Sequence, residues 1–296
     1  MSFSSDTKNE LCKVECQKCC AVAQCYGIVL YCNTFSNSEV KIVTENQAFA
    51  KILPRLFKRA FGFSFDSTAK SKSGKESFII KSSEKIGKIF SVYGYEKEDV
   101  LAHHINYGII EEECCRQSFI RGAFLAGGSV TDPEKQYHLE LVTAHYNVSR
   151  ETYSLLLDMG FSPKSASRSG NHIIYFKSSA AIEDFLTTIG APVSAMDIMS
   201  AKIEKGMTNS VNRLVNCDTA NVAKTVDAAQ SQIEAINILK QTGKFKNLPE
   251  KLKYTAEMRL KNPELSLSEL AEVFDPPVTK SGLNHRFRKI MELAGK

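Results

Sequence analysis

The sequence lacks the two kinds of apolar segment that place a protein in or across a membrane. No run of about 18 apolar residues occurs, which excludes an ordinary transmembrane helix. Residues 1–10, MSFSSDTKNE, lack a basic flank followed by an apolar core, so they do not form a secretory signal peptide. Tryptophan is also absent, which excludes nothing by itself. We therefore expect a cytoplasmic protein with no membrane partner.

Positive charge is modest overall but concentrated near the C-terminus. The formal net charge is +5 over 296 residues, and a charged content of 24% is ordinary for a globular protein. Residues 244–296 hold eleven Lys and Arg against seven Asp and Glu, and from Thr279 onward the ratio is five to one. A basic C-terminal module predicts a polyanionic partner, with nucleic acid as the first choice.

Cysteine is frequent, but its spacing does not match a common metal motif. The nine cysteines are Cys12, Cys16, Cys19, Cys20, Cys25, Cys32, Cys114, Cys115 and Cys217. An odd number in a cytoplasmic protein argues against structural disulfides. A structural zinc site usually takes two well-separated ligand pairs, and adjacent cysteines such as Cys114 and Cys115 are poor joint ligands. The sequence thus predicts small buried or half-buried thiols, with no metal and no cofactor.

The first 200 residues contain an internal repeat with an offset of 95. Residues 19–27, CCAVAQCYG, align with residues 114–122, CCRQSFIRG, and both segments continue with small and apolar residues. Both are predicted to be buried helices with a glycine at the same position, Gly27 and Gly122. Glycine inside a helix costs about 1 kcal/mol relative to alanine, so we expect close packing of two helix backbones there.

The repeat continues as a strand, a helix, two strands and a closing helix in each half. In the first half the strand is at residues 39–44 and the helix at 46–59. The hairpin has its turn at 71–74 and its second strand at 77–81, and the closing helix is at 83–90. In the second half the strand is at residues 137–143 and the helix at 149–159. The hairpin has its turn at 167–170 and its second strand at 172–177, and the closing helix is at 178–189. The plan αββαββα, repeated twice, predicts a pseudo-twofold α+β domain with halves at residues 1–110 and 111–205.

The remaining residues predict a linker and a small all-α domain. Residues 209–221 are polar and rich in asparagine, and they lead into a helix with apolar residues at Val222, Val226 and Ile233. We assign residues 206–245 to this linker with its helix, and residues 246–296 to the α-helical domain. Three helices are expected there, at residues 249–261, 267–274 and 280–293, the second starting with a capping box of Ser266 and Glu269.

The last of these helices has an apolar and a polar face. At about 100° per residue, Leu283, Phe287, Ile290, Met291 and Ala294 share the apolar face. The predicted DNA-contacting residues are Ser281, Asn284, His285 and Arg288 on the polar face, with Lys280, Arg286 and Lys289 at its flanks. Asn and Arg suit base edges, whereas flanking cations suit phosphates. The pattern predicts a helix-turn-helix that binds double-stranded DNA.

Residues 121–130, RGAFLAGGSV, resemble the helix of the LAGLIDADG homing endonucleases. That resemblance implies that the last acid of the motif, which binds the catalytic metal in those enzymes, is replaced by Gly127 in the second half and by Cys32 in the first. Mg²⁺ needs oxygen ligands, so we expect no catalysis from this scaffold.

The whole chain resembles the WhiA family of bacterial regulators, most specifically at residues 121–130, at residues 209–221 and in residues 280–289, KSGLNHRFRK. This resemblance implies a LAGLIDADG-like domain joined to a helix-turn-helix, with a role in transcription during sporulation, or in cell division and chromosome segregation. It further implies association with the nucleoid. The chain departs from the family at Gln24, Cys25 and Tyr26, where glutamate and aliphatic residues are more usual.

Two other functions compete with a DNA-binding regulator. A metal-dependent nuclease could use displaced ligands at Asp132 and Glu134, a few residues beyond the helix end. Alternatively, the basic domain could be an interaction scaffold that binds another regulatory protein. Its charged face could also be only a solvated surface, as many charged faces are.

Overall fold

The computed structural model describes residues 2–71, 74–95 and 102–295, which form two compact units, residues 1–205 and residues 206–296. The helices are α1 (Phe3–Leu11), α2 (Lys18–Leu30), α3 (Gln47–Phe61), α4 (Ser83–Tyr93), α5 (Glu113–Gly127), α6 (Tyr146–Asp158), α7 (Ser179–Ile189), α8 (Pro192–Gln241), α9 (Glu250–Lys261), α10 (Leu267–Glu272) and α11 (Lys280–Ala294). Short 3₁₀ turns lie at Tyr107–Ile109 and Lys244–Asn247. The strands are β1 (Thr34–Phe35), β2 (Val40–Thr44), β3 (Ser67–Lys70), β4 (Glu76–Ile80), β5 (Gly128–Val130), β6 (Leu139–Thr143), β7 (Lys164–Arg168) and β8 (Asn171–Phe176).

The predicted αββαββα plan is confirmed in both halves of the first unit. Helices α2 to α4 with strands β1 to β4 form the first copy, and helices α5 to α7 with strands β5 to β8 form the second. The short strands β1 and β5, which complete the plan, lie before the strand ranges expected from the repeat. Each copy has a four-stranded antiparallel sheet, with strand order β1-β2-β4-β3 in one and β5-β6-β8-β7 in the other. Part of the predicted turn at 71–74 lies outside the described residues, whereas the turn at 167–170 places Gly170 at φ +79°.

The two central helices, α2 and α5, pack backbone against backbone. A Cβ atom added to Gly27 would lie 2.0 Å from the carbonyl oxygen of Phe119, and one added to Gly122 would lie 2.0 Å from that of Gln24. Both contacts join a glycine to the residue three positions before its partner glycine, so the crossing is symmetric. The close packing expected from the repeat is therefore confirmed.

The three residues that depart from the family pattern lie in the core of this crossing. Gln24, Cys25 and Tyr26 are all buried. The Tyr26 hydroxyl donates to the carbonyl oxygen of His104 at 2.8 Å and accepts from the amide of Asn106 at 2.8 Å. Tyr26 thus anchors the segment that connects the two halves, and these substitutions alter internal packing rather than the protein surface.

Helix α8 is much longer than the sequence pattern indicated. We expected a helix only after residue 221, but the helix begins at Pro192 and includes the whole polar stretch 209–221. Proline fits the first turn of a helix, where its missing N–H costs nothing. Asparagine is only a few tenths of a kcal/mol less favourable than most residues inside a helix, and proline is absent from the stretch. Low helix propensity was therefore too weak a signal to predict a break.

The second unit has its own apolar core. Its buried residues come from the end of α8 and from α9, α10 and α11, and include Ile236, Leu252, Leu270, Leu283 and Phe287. The three predicted helices of this domain are confirmed, with ends within two residues of the expected positions. Within the described part of the chain, none of the helices has the length and apolarity that a membrane crossing requires.

The glycine crossing gives a direct stability test. We expect Gly122→Ala to destabilise the protein by about 3 kcal/mol or more, because a methyl group there meets backbone atoms that cannot move aside. Urea unfolding followed by far-ultraviolet circular dichroism measures the change. The matched control is Gly206→Ala in α8, where a Cβ meets no atom of the described chain within 4 Å and should stabilise the helix by about 1 kcal/mol. Equal effects of the two substitutions would contradict the crossing.

Candidate nucleic-acid interface

The helix-turn-helix is formed by α10, the turn of residues 273–279 and α11. Helix α10 starts with the predicted capping box: the Glu269 amide donates to Ser266 Oγ at 3.3 Å, and the Ser266 amide donates to Glu269 Oε2 at 2.8 Å. The hydrogen bonds of the Ser266 side chain and of the Ser266 amide to the Glu269 carboxylate favour its charged form and lower the pKa of Glu269. Helix α11 starts at a second cap, where Thr279 Oγ1 accepts from the amide of Gly282 at 3.1 Å. Both helix ends are thus fixed by side chains that the sequence specifies.

Helix α11 buries one face and exposes the other. Leu283, Phe287 and Ile290 are buried in the core of the second unit, and the predicted Met291 and Ala294 pack partly against it. The residues exposed on the opposite face are Ser281, Asn284, His285 and Arg288. The fold therefore brings together the four side chains that the sequence pattern predicts on the polar face.

The flanking cations do not all lie beside this polar face. Lys280 and Lys289 are exposed, as phosphate contacts require. Arg286 is half-buried instead: its Nη1 donates to Thr255 Oγ1 at 3.4 Å, and its guanidinium lies 5.9 Å from the ring centre of Phe274. At 100° per residue Arg286 is about 140° around the helix from Ser281, so it points toward α9 rather than outward.

Arg259 in α9 is a buried cation that the sequence analysis missed. It is 1% exposed; its Nε donates to Gln232 Oε1 at 3.0 Å and its Nη1 to the carbonyl oxygen of Leu265 at 2.6 Å. Its guanidinium also lies 5.5 Å from the ring centre of Phe287, and burial lowers its pKa. Arg259 lies seven residues, or two helical turns, after Leu252, so both residues share the buried face of α9. This spacing is the sequence signal that indicates burial of Arg259. Arg259 joins α8, α9 and α11 behind the exposed face.

A cavity of about 190 Å³ lies beside the start of α11 in the same unit. Its lining includes Lys224, Lys280 and Ser268. Ammonium and hydroxyl groups of this kind commonly contact phosphate oxygens. The cavity thus adds a second basic feature next to the exposed face of α11.

In the first unit, the ends of α2 and α5 carry Cys32 and Gly127, the two positions that the resemblance to homing endonucleases assigns to the catalytic acids. Cys32 Sγ lies 3.1 Å from the carbonyl oxygens of Val29 and Thr34, and burial raises the pKa of this thiol to about 12. A Cβ added at Gly127 would lie 2.4 Å from the carbonyl oxygen of Val142 and 3.0 Å from the Tyr31 ring. Cys32 is therefore a neutral thiol that points toward nearby backbone carbonyl oxygens. Position 127 has no room for a side chain.

Asp132 and Glu134 lie in a different environment. The Glu134 amide donates to Asp132 Oδ1 at 2.9 Å in a local turn. Both residues line a cavity of about 440 Å³ together with Asp6, Asp197 and Glu204. Cys32 and Gly127 are not among the residues that line it. Asp132 and Glu134 thus line a cavity with other carboxylates.

The two units differ in net charge. Residues 206–296 hold fourteen Lys and Arg against ten Asp and Glu, whereas residues 1–205 hold twenty-four against twenty-three. Several cations of the first unit's sheets are also paired with carboxylates. These ion pairs are Lys70–Glu76, Lys75–Glu45, Lys81–Glu39 and Arg168–Glu140. Such exposed pairs stabilise the fold little, but they reduce the positive charge that the sheets offer to a polyanion.

Comparison with known proteins gives the same two-part architecture. A model of the WhiA LAGLIDADG-like domain matches residues 34–101 and 116–208, and a model of the WhiA C-terminal HTH domain matches residues 211–294. The crystal structure of full-length DUF199/WhiA from Thermatoga maritima superposes with a TM-score of 0.62 at 25% identity, covering 100% of this chain and 98% of that one. The N-terminal LAGLIDADG domain of DUF199/WhiA superposes with a TM-score of 0.50 at 21% identity, covering 64% and 92%.

Sequence relatives are similar over their whole length. A protein of Ruminiclostridium cellulolyticum named "Probable cell division protein WhiA" is 38% identical to this chain, over 99% of this chain and 97% of that one. A protein of the same name from Clostridium botulinum is also 38% identical, over 99% and 98%. The resemblance drawn from the sequence is thus confirmed, and the chain belongs to the WhiA family.

Proposed function

We propose that this protein is a non-enzymatic regulator that binds double-stranded DNA through α11 and controls transcription. The observation that carries the proposal is the exposed polar face of α11, backed on its other side by a buried core. Asn284 and Arg288 lie one helical turn apart on this face, which suits insertion into the major groove. In that position Asn284 reads adenine and Arg288 reads guanine through paired hydrogen bonds.

Phosphate contacts position this helix on the duplex. Lys280 and Lys289 are exposed on α11, and Lys224 lines the cavity next to Lys280. Of the cations predicted from the sequence, Arg286 supports the fold of the domain rather than contacting phosphate, because it packs against Thr255 and Phe274.

The first unit acts as a scaffold without nuclease activity. Cleavage by this fold requires hard oxygen ligands for Mg²⁺ at the ends of the two central helices, and here those positions hold a thiol and a glycine. Balanced charge and paired cations make the unit a weaker DNA surface than the second unit. This favours DNA binding by the helix-turn-helix, with the first unit left to bind another regulatory protein.

The names of the relatives point to the process that is regulated. Both relatives above are named as cell division proteins. We place this chain in the cytoplasm, associated with the nucleoid, with a role in cell division and chromosome segregation or in sporulation.

The recognition face is tested by replacing its two central residues. The double substitution Asn284→Ala and Arg288→Ala should cost about 1–3 kcal/mol per base-contacting residue and relax sequence preference. Binding-site selection on purified protein, followed by fluorescence anisotropy at fixed salt, measures both effects. Arg286→Ala removes the same charge as Arg288→Ala from the same helix, and it should lower thermal stability while leaving sequence preference intact. Unchanged preference in the double variant would refute the assignment of α11.

The phosphate contacts are tested through ionic strength. Because each neutralised phosphate releases counterions, Lys280→Ala and Lys289→Ala should each reduce the slope of log affinity against log salt by about 1. Anisotropy titrations from low to moderate salt give the slope. Lys251→Ala, an exposed lysine on α9, serves as the control and should leave it unchanged. A slope that stays at the wild-type value in both α11 variants would place their ammonium groups away from the DNA backbone.

The absence of catalysis is tested on supercoiled plasmid. We expect no nicking or linearisation with Mg²⁺ or Mn²⁺ at protein concentrations that saturate binding. Cleavage by the wild-type chain that disappears in Asp132→Ala would instead support the displaced-ligand nuclease.

A further inference from the structure

Four cysteine sulfur atoms meet where the central helices begin. Cys19 and Cys20 lie in the first turn of α2, and Cys114 and Cys115 lie in the first turn of α5. All four Sγ atoms lie within 4.8 Å of one another; the Cys19–Cys20 distance is 3.9 Å and the Cys114–Cys115 distance is 4.0 Å. Four sulfurs around one tetrahedral zinc, at about 2.3 Å from it, are about 3.8 Å apart. A disulfide needs about 2.05 Å. The observed spacing is close to that of a metal site.

The cluster has the symmetry of the fold. Cys19 and Cys20 are related to Cys114 and Cys115 by the same offset of 95 that relates Gly27 to Gly122. Since the glycine crossing aligns the two helices in parallel, equivalent residues of the first turns come together. Each half thus supplies the same two ligands. The objection that adjacent cysteines are poor joint ligands does not hold here, because both pairs direct their sulfurs to one point.

Burial and charge in the cluster are suited to a cation. Cys20 and Cys115 are buried, whereas Cys19 and Cys114 are exposed, so an ion can enter from solvent. The positive ends of two helix dipoles also stabilise thiolates at this position.

We propose that Cys19, Cys20, Cys114 and Cys115 bind one Zn²⁺ ion as a closed tetrathiolate site that ties the two halves of the first unit together. Four protein ligands leave no open position, so the site is structural rather than catalytic. Binding releases thiol protons, and zinc affinity therefore increases with pH.

The test uses the full chain, purified under reducing conditions without chelator and titrated with zinc alone. We expect one zinc per chain by mass spectrometric metal analysis, and cobalt substitution should give the absorption spectrum of a tetrahedral tetrathiolate. Cys19→Ser combined with Cys114→Ser changes only exposed ligands and should abolish both signals. Cys12→Ser combined with Cys217→Ser, two cysteines outside the cluster, should retain them.

Stability gives a second measurement. A chelator should lower the thermal unfolding midpoint of the zinc-loaded wild type but not that of the Cys19→Ser and Cys114→Ser variant. The proposal is overturned if the reduced wild type binds no more zinc than this variant, if its cobalt spectrum is octahedral, or if mass mapping shows the four thiols paired as disulfides under those reducing conditions. The cobalt spectrum of the wild type decides the matter even if the variant fails to fold.

Discussion

The first unit depends on the approach of two helix backbones at Gly27 and Gly122. A side chain at either glycine would collide with a main-chain oxygen, so the contact specifies glycine in both copies of the repeat. Because the helices cross in parallel, their first turns meet at one end and their last turns at the other. The cysteine pairs and the pair of Cys32 and Gly127 therefore occupy opposite ends of one helix pair. Both ends follow from the single crossing.

In the second unit, the buried core fixes the orientation of α11. The exposed face of α11 keeps its orientation because Leu283, Phe287 and Ile290 are buried, and because Arg259 bridges the helices behind them. A guanidinium that is 1% exposed must have its hydrogen bonds satisfied, and breaking them leaves a buried charge without acceptors, which costs about 1–3 kcal/mol or more. Arg259 thus couples the stability of the domain to the position of α11.

Much of this architecture could be predicted from the sequence, because strong local signals agreed with the fold. The internal repeat of strands and helices, the glycines at equivalent helix positions and the Ser266 capping box all predicted correct elements. Three features needed the structure. Helix α8 continues through residues 209–221 although their helix propensity is low. Arg259 is a charged residue on a buried helix face. Arg286 packs against Thr255 instead of pointing outward. Tertiary contacts decide the positions of Arg259 and Arg286, whereas residues 209–221 of α8 are exposed, and there the propensity signal was simply too weak to indicate a break.

The two ends of the central helix pair differ in the metal chemistry that they allow. Mg²⁺ prefers carboxylate and water oxygens in octahedral geometry, and neither Cys32 nor Gly127 supplies an oxygen from its side chain. Thiolates prefer soft ions such as zinc, and they gain stability at the positive end of a helix, which is where the four cysteines lie. A zinc ion bound by four thiolates has no free coordination position for water, so it cannot take the catalytic role of a nuclease metal. The proposed zinc site and the positions of Cys32 and Gly127 therefore differ in the ions that their side chains suit, although they belong to the same helix pair.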